Sequence, residues 1–411
     1  MRKPDKLPHA ITRRTFLKIG GMSATLMVAG RRLMPFSVRA DASGVRRLVV
    51  IEMNGGNDGL NTVIPYGDSS YYDVRRPLAI PPAQVLKIDN MWGLHNSLQN
   101  LSKRYTQGHV AIVRGVGYTD PDLSHFRMSD LWRAGNPDGA AAAGNTGWVG
   151  RMLQYLTLSA SPMAAMSLYP TVGPMLVGPL GKAVSAQSSS DGNLNYPDGL
   201  AGTIQAAISG FAQPNGADSP ELAAARQGMS DSVVLSSFLT QLPNPSAGYP
   251  KSNTANLLGF AATVLAANDW IRIIHLPLPL DHDTHADQLA RQQTNLAELD
   301  GALEPFVKDL QQKNLLDQTL IMTVSEFGRR VQLNGSGGTD HGTASSHFFI
   351  GSSVNGGLYG DPPSLTKLDP DGNLVNSSSF LDLEATACAW MGVDPNNVLP
   401  SGTPYAGLLT A

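Results

Sequence analysis

The sequence predicts an α/β fold with a mainly parallel central sheet flanked by helices. Three observations point to it. Short continuous apolar runs such as residues 48–51 and 320–324 suit strands buried on both faces. A long stripe, Leu296, Leu299, Leu303, Phe306 and Leu310, has the spacing of an amphipathic helix between such strands. Polar, ligand-rich loops follow the strand-like runs, as they do where open α/β sheets bind ligands. The 411 residues, 42% of them hydrophobic, are enough for a large core.

Leu48-Val49-Val50-Ile51 is the first core strand, and the chain turns polar directly after it. Gly55 and Gly56 permit a tight turn, and Asn54, Asn57, Asp58 and Asn61 crowd side-chain oxygens into one loop. Asp58 is the first candidate functional carboxylate; a plain Asp-Gly turn is the alternative.

The first 42 residues read as an address. Thr12-Arg13-Arg14-Thr15-Phe16-Leu17-Lys18 matches the twin-arginine export pattern, and a short, weakly apolar segment and a small-residue cleavage box follow. The expected partner is the twin-arginine translocase, and the expected location is the periplasm or the exterior. Nine of the 30 Lys and Arg residues and two of the 33 acids lie in this segment, so the remainder carries a net charge of −10 against −3 for the whole chain. That balance argues against a nucleic-acid surface and suits hard cations. No segment has the ~20 apolar residues of a stable transmembrane helix. The single cysteine, Cys388, excludes an intramolecular disulfide and a multi-cysteine metal site.

Residues 91–115 read as loop, helix and strand, with Leu94, Leu98, Leu101 and Tyr105 at helical spacing; this β-α-β pattern implies a parallel strand pair. The next loop carries Asp120, Asp122, Ser124 and His125, in which Ser124 beside His125 is a candidate for chemistry. Residues 139–147 and 185–197 have loop composition. An irregular, loop-rich insertion or cap is expected at about 170–250 of a domain running from 43 to 411. A helix at 254–268 and a strand at 271–276 follow.

Asp281-His282-Asp283-Thr284-His285 then packs carboxylates and imidazoles into five residues after a strand, as metal ligands would be packed. An acidic helix start is the alternative. The strand at 320–324 delivers Ser325-Glu326-Phe327-Gly328-Arg329-Arg330, and GSGGTDHG places Asp340 and His341 before a strand at 347–350. Four strand ends thus present an acid or a histidine.

Together, GGNDGLNTVIPYGD, SHF, DTHADQ, SEFGRR, GTDHG and LEATACAWMGVD resemble the secreted bacterial proteins of domain-of-unknown-function family 1501, related to sulfatases and alkaline phosphatases. The resemblance implies an alkaline-phosphatase-like, sulfatase-like domain. It also implies Asp58 as a metal carboxylate, Ser124 as nucleophile, Asp283 (or Asp281, four residues before His285) and His285 as a ligand pair, Glu326 as a later carboxylate and His341 as the last histidine. Phe327 stands where the superfamily has the histidine of an Asp-His pair. A second metal would therefore lack an imidazole unless His125 or Asp340 supplied a ligand. The function implied is metal-dependent hydrolysis of phosphate or sulfate esters, small or polysaccharide, with Zn, Mn, Mg or Ca as the divalent ion. His125 would ligate or move a proton, and Arg329 would clamp an anion oxygen. A catalytically silent binding or scaffold protein on the same fold is the rival reading, and a carbohydrate-binding export partner is a third.

Overall fold

The apolar run after Arg46 forms β1 (Arg47–Glu52), buried at all six positions, as a strand covered on both faces must be. The other strands of the main sheet and of the short ribbon beside it are, in chain order, β2 (Val110–Gly117), β3 (Ala165–Ser167), β4 (Ala183–Ser185), β5 (Ile273–Pro277), β6 (Thr319–Val324), β7 (Gly328–Arg329), β8 (His341–Gly342), β9 (Ser345–Ile350), β10 (Gly357–Tyr359) and β11 (Ser378–Ser379). The computed structural model describes residues 45–119, 121–156, 163–194, 196–213 and 215–410. The export signal expected at 1–42, and Asp120, lie outside the described residues.

The main sheet has nine strands in the order β10-β2-β9-β6-β1-β5-β3-β4, with β11 also beside β2. Every pairing is parallel except those of β9 with β2 and β6. This mainly parallel α/β sheet is the fold class that the apolar runs predict. One expectation differs: β1 and β2 run in the same direction, but they are not neighbours, because β6 and β9 lie between them. Later strands fill the gap, and nothing local to residues 91–115 encodes that.

The helices used below are α1 (Gly59–Thr62), α2 (Ser69–Arg75), α3 (Gln99–Thr106), α4 (His125–Ala134), α5 (Ala201–Phe211), α6 (Pro220–Thr240), α7 (Asn253–Ala267), α8 (Gln288–Gln312) and α9 (Phe380–Trp390). α3 begins later than its leucine pattern suggests. Leu94 lies in a two-residue strand, and Leu98 only caps the helix. In α8 the expected stripe, Leu296 to Leu310, is buried, and the helix packs on α3 and α7. α9 opens with a capping box in which Ser379 and Asp382 satisfy each other's backbone N–H groups, and it buries Cys388. Alternation along β1 sends Leu48 and Val50 into a core with Trp132 of α4, Phe349 of β9 and Phe380 of α9; Val49 and Ile51, facing the other way, are equally buried.

Residues 188–242 form a compact unit of their own, distinct from the one that carries the sheet. This unit holds α5 and α6, an ion pair between Arg226 and Asp218 at 2.6 Å, and a bond from the Ser236 hydroxyl to the Gly192 carbonyl at 2.7 Å. Among the described residues, no helix is long and apolar enough to cross a membrane.

The topology positions the site. β6, β1 and β5 are adjacent and parallel, so the loops that begin at Met53, Leu278 and Ser325 leave the same edge. Because β9 runs the other way, its amino end, and the β7–β8 ribbon that leads into it, reach that edge too. Residues far apart in sequence meet there for this reason.

Candidate functional site

The loop after β1 turns through Gly55 (φ +106°) and Gly56 (φ +74°), a backbone that L side chains rarely adopt. A Cβ on Gly55 would fall on the Asp283 amide, and one on Gly56 on the Phe327 ring, so the three strand-end loops interlock only with hydrogen at these positions. The Gly55 amide donates to Glu326 Oε1 at 2.8 Å.

Three histidines are held in a common way. His125, the first residue of α4, donates from Nδ1 to Glu326 Oε1 at 2.8 Å. His285 donates from Nδ1 to Asp340 Oδ1 at 3.0 Å, and His341 from Nδ1 to the Leu123 carbonyl at 2.8 Å. These partners are acceptors only, so each Nδ1 carries the hydrogen and each Nε2 presents a lone pair in the neutral ring. The three Nε2 atoms face Asp283: His285 and His341 lie 3.2 and 3.3 Å from Oδ1, and His125 lies 3.5 Å from Oδ2. His285 Nε2 and His341 Nε2 are 2.9 Å apart. The ligand atoms of His125, Asp283 and His341 all fall within 4.8 Å of one another, a group that could hold a metal ion. His125 Nε2 is buried without a hydrogen-bond partner.

Leu123 aims its carbonyl at His341 from a left-handed backbone, φ +59°, an uncommon conformation for such a residue. Asp283 is fixed from behind by Arg329 Nη2 at 2.6 Å. Burial pushes its carboxyl up, but the Arg329 hydrogen bond and charge, with His285 and His341, hold it down at about 2. The hydrogen bond to Glu326 raises His125, against burial; burial lowers His341.

The positions anticipated from sequence divide into two groups. His125, Asp283, His285 and His341 come together, with Glu326 and Asp340 one layer behind as the acceptors that orient two of the rings. Asp58 stands apart. Its Oδ1 caps α1 through Leu60 N (3.0 Å) and Asn61 N (3.3 Å), and its Oδ2 takes both buried Arg75 and Gln288. That carboxylate is saturated by protein, which corrects its expected role as a metal ligand. Asp281 is largely exposed and pairs with Arg291 at 2.6 Å. Arg329 cannot clamp a substrate anion. It is fully buried, and its fork is spent on Asp283 and the carbonyls of Gly55, Gly56, His282 and Thr339. Ser124 is half-buried at the cap position of α4, and its hydroxyl makes no capping bond.

Phe327 is buried against the rings of His125 (4.8 Å) and His341 (4.4 Å). Phe327 thus sets an apolar wall beside the cluster, and His125 joins Asp283, His285 and His341 in it.

A cleft of about 450 Å³ opens over this cluster, lined by Asn54, Gly55, His125, Phe126, Ser129, Arg133, Leu280, Asp281, Asp283 and Glu326. Phe126, 91% exposed, is its most solvent-facing large apolar group. Ser129 and Arg133 escaped the sequence reading, although their spacing announces them: they follow His125 by four and eight residues, one stripe of a helix.

None of the curated proteins matches the chain. Solved structures similar to it include the lipoteichoic acid synthase of Listeria monocytogenes, at 9% identity over 96% of this chain and 82% of that one, TM-score 0.42. A protein in the alkaline phosphatase superfamily from Vibrio parahaemolyticus matches at 10% identity over 95% and 78%, TM-score 0.39. The phosphonate monoester hydrolase of Agrobacterium radiobacter matches at 13% identity over 87% and 76%, TM-score 0.41. The family described as protein of unknown function, DUF1501, matches residues 45–405, from just before β1 to beyond α9, and the chain belongs to that family.

Proposed function

We propose that the protein is an exported hydrolase of phosphate or sulfate esters that works with one divalent metal ion held by His125, Asp283, His285 and His341. The observation that carries this reading is the facing pair His285 Nε2 and His341 Nε2, 2.9 Å apart with both hydrogens committed at Nδ1. Two lone pairs at that distance repel, and a shared cation relieves them. The separations suit a metal: ligand atoms around a tetrahedral ion with bonds of ~2.0–2.1 Å lie about 3.3 Å apart. A mixed imidazole and carboxylate set favours Zn or Mn over Ca and Mg.

When bound, the ion supplies Lewis acidity to an ester oxygen. The chain does the rest. Glu326, Asp340 and the Leu123 carbonyl hold each imidazole in one tautomer and orientation. Arg329 keeps Asp283 ionised and aimed. Phe327 shields the cluster on one side. Ser124 and Ser129 both lie on the α4 segment that begins at the cluster, and the attacking hydroxyl is assigned to Ser124, with water as the alternative attacking group. The twin-arginine pattern at residues 12–18 supports export to the periplasm or beyond.

The test is metal analysis of protein purified after native export, followed by turnover of generic phosphate and sulfate esters. About one equivalent of metal, lost in His341→Ala together with activity, is the expected result; Ser124→Ala should keep metal and lose turnover. No metal above background would favour the rival, a silent scaffold, for which the Phe327 substitution in the ligand pattern also speaks.

A further inference from the structure

The cleft contains one cation among its described lining residues, and it is built to stay in place. Arg133 lies in the last turn of α4, on the stripe that starts at His125 and passes through Ser129. Its Nε and Nη2 both bind Glu52 Oε1, at 2.9 and 2.8 Å, and its Nη1 has no partner among the described residues. Glu52 is the last residue of β1 and is buried; its other oxygen, Oε2, accepts from His275 Nε2 of β5 at 3.0 Å. Burial pushes the Glu52 carboxyl up, but the His275 hydrogen bond and the charge of Arg133 outweigh it, so the carboxylate stays ionised. The guanidinium is therefore clamped along one edge by a rigid pair of sheet residues, while its other edge is left for the cleft.

We propose that Arg133 is the substrate-anion anchor of the cleft: its free Nη1 edge binds a non-bridging oxygen of a phosphate or sulfate ester, and Glu52 and His275 are the residues that position it. The assignment rests on the hydrolase reading above and supplies what that reading lost when Arg329 proved to be buried in structural contacts. A planar fork held on one side keeps little rotamer freedom to lose on binding, which favours an anion of fixed geometry. The neutral donors of Ser129 and Asn54 line the same cleft and complete a site for a tetrahedral oxyanion next to the histidine cluster.

The experiment is calorimetric titration of the zinc-loaded full chain with inorganic phosphate and, separately, sulfate. The unaltered protein should bind at least one of them, and Arg133→Ala should weaken that binding about tenfold or more, with Arg133→Lys in between. Zinc content should not change, because the side chain touches no member of the histidine cluster; the melting temperature should fall, because buried Glu52 loses a counter-charge, so the titrations are run where both proteins are fully folded. For the positioning residues, His275→Gln, whose amide can still donate to Glu52, should bind more tightly than His275→Leu, a difference that loss of a ring alone would not produce. Equal phosphate and sulfate affinities in Arg133→Ala and the unaltered protein would overturn the assignment, as would absence of binding to the unaltered protein. Repeating the titration on chelator-stripped protein keeps the two readings apart. Binding that depends on Arg133 in a chain that never takes up zinc would leave the anion anchor standing and remove the metal hydrolase.

Discussion

Replacing Glu326 by Gln tests whether the acceptors behind the histidines matter as the geometry says. Glu326 Oε1 takes two hydrogens, one from the Gly55 amide at 2.8 Å and one from His125 Nδ1 at 2.8 Å, and the side chain is buried. Glutamine keeps the length and an acceptor oxygen for both donors, so the loop after β1 stays anchored. What it removes is the negative charge that polarises His125. Loss of such a partner costs ~10–100-fold in metal affinity, or about 1.4–2.7 kcal/mol. The assay is competition for Zn²⁺ against a chromogenic chelator at fixed pH, with the melting curve of the metal-free protein as the control. Affinity should fall by that range while the metal-free melting temperature holds. An affinity within about twofold of the unaltered protein would mean that His125 is no ligand, and the four-residue centre would be wrong.

Asp58→Asn distinguishes a structural from a ligating carboxylate: it leaves Arg75 buried without its counter-charge, so stability should drop by roughly 3–5 kcal/mol while metal content survives in the folded fraction. Metal loss at unchanged stability would restore Asp58 as a ligand. Gly56→Ala drives a methyl into the Phe327 ring from a left-handed backbone, and a denaturant melt should show a loss of about 1–3 kcal/mol or more; a neutral variant would show that the loops are not interlocked there. Glu384 gives a pH signature. It is buried in α9 with Oε2 unpartnered, and burial pushes its carboxyl well above the usual range, against the lowering influence of Arg151. Its folded value lies above its unfolded value near ~4.3, so its contribution is complete below that pH and is lost as pH rises toward the folded value, at about 1.4 kcal/mol per unit. Glu384→Gln should abolish that slope above the unfolded value; parallel pH profiles of urea midpoint for the two proteins would refute it.

Much of the architecture is written locally. Continuous apolar runs with β-branched residues such as that of β1 suit strands buried on both faces, and the leucine stripe of α8 suits one face of a helix, so both are legible from their neighbours in sequence. The same holds for the polar loops that follow the strands. Residue type also marked all four members of the cluster as chemically capable.

Tertiary structure alone decided what each of them does. Whether a carboxylate ligates, orients a ring or seals a core depends on which partner reaches it. Asp58 is taken by Arg75 and Gln288, Glu326 by His125, and Asp340 by His285, pairings that span 17 to 230 residues of chain. Arg329, expected to clamp an anion, points into carbonyls beneath the loops, while Arg133, to which the sequence pattern assigns no role, lines the cleft from a helix face. The reversal of β9, which carries His341 to the carboxyl edge of β6 and β1, follows from antiparallel pairing with β2 and β6, strands more than two hundred and about twenty positions away. Electrostatic partners and strand neighbours are chosen in space, and a one-dimensional pattern records which groups are available without recording which of them will meet.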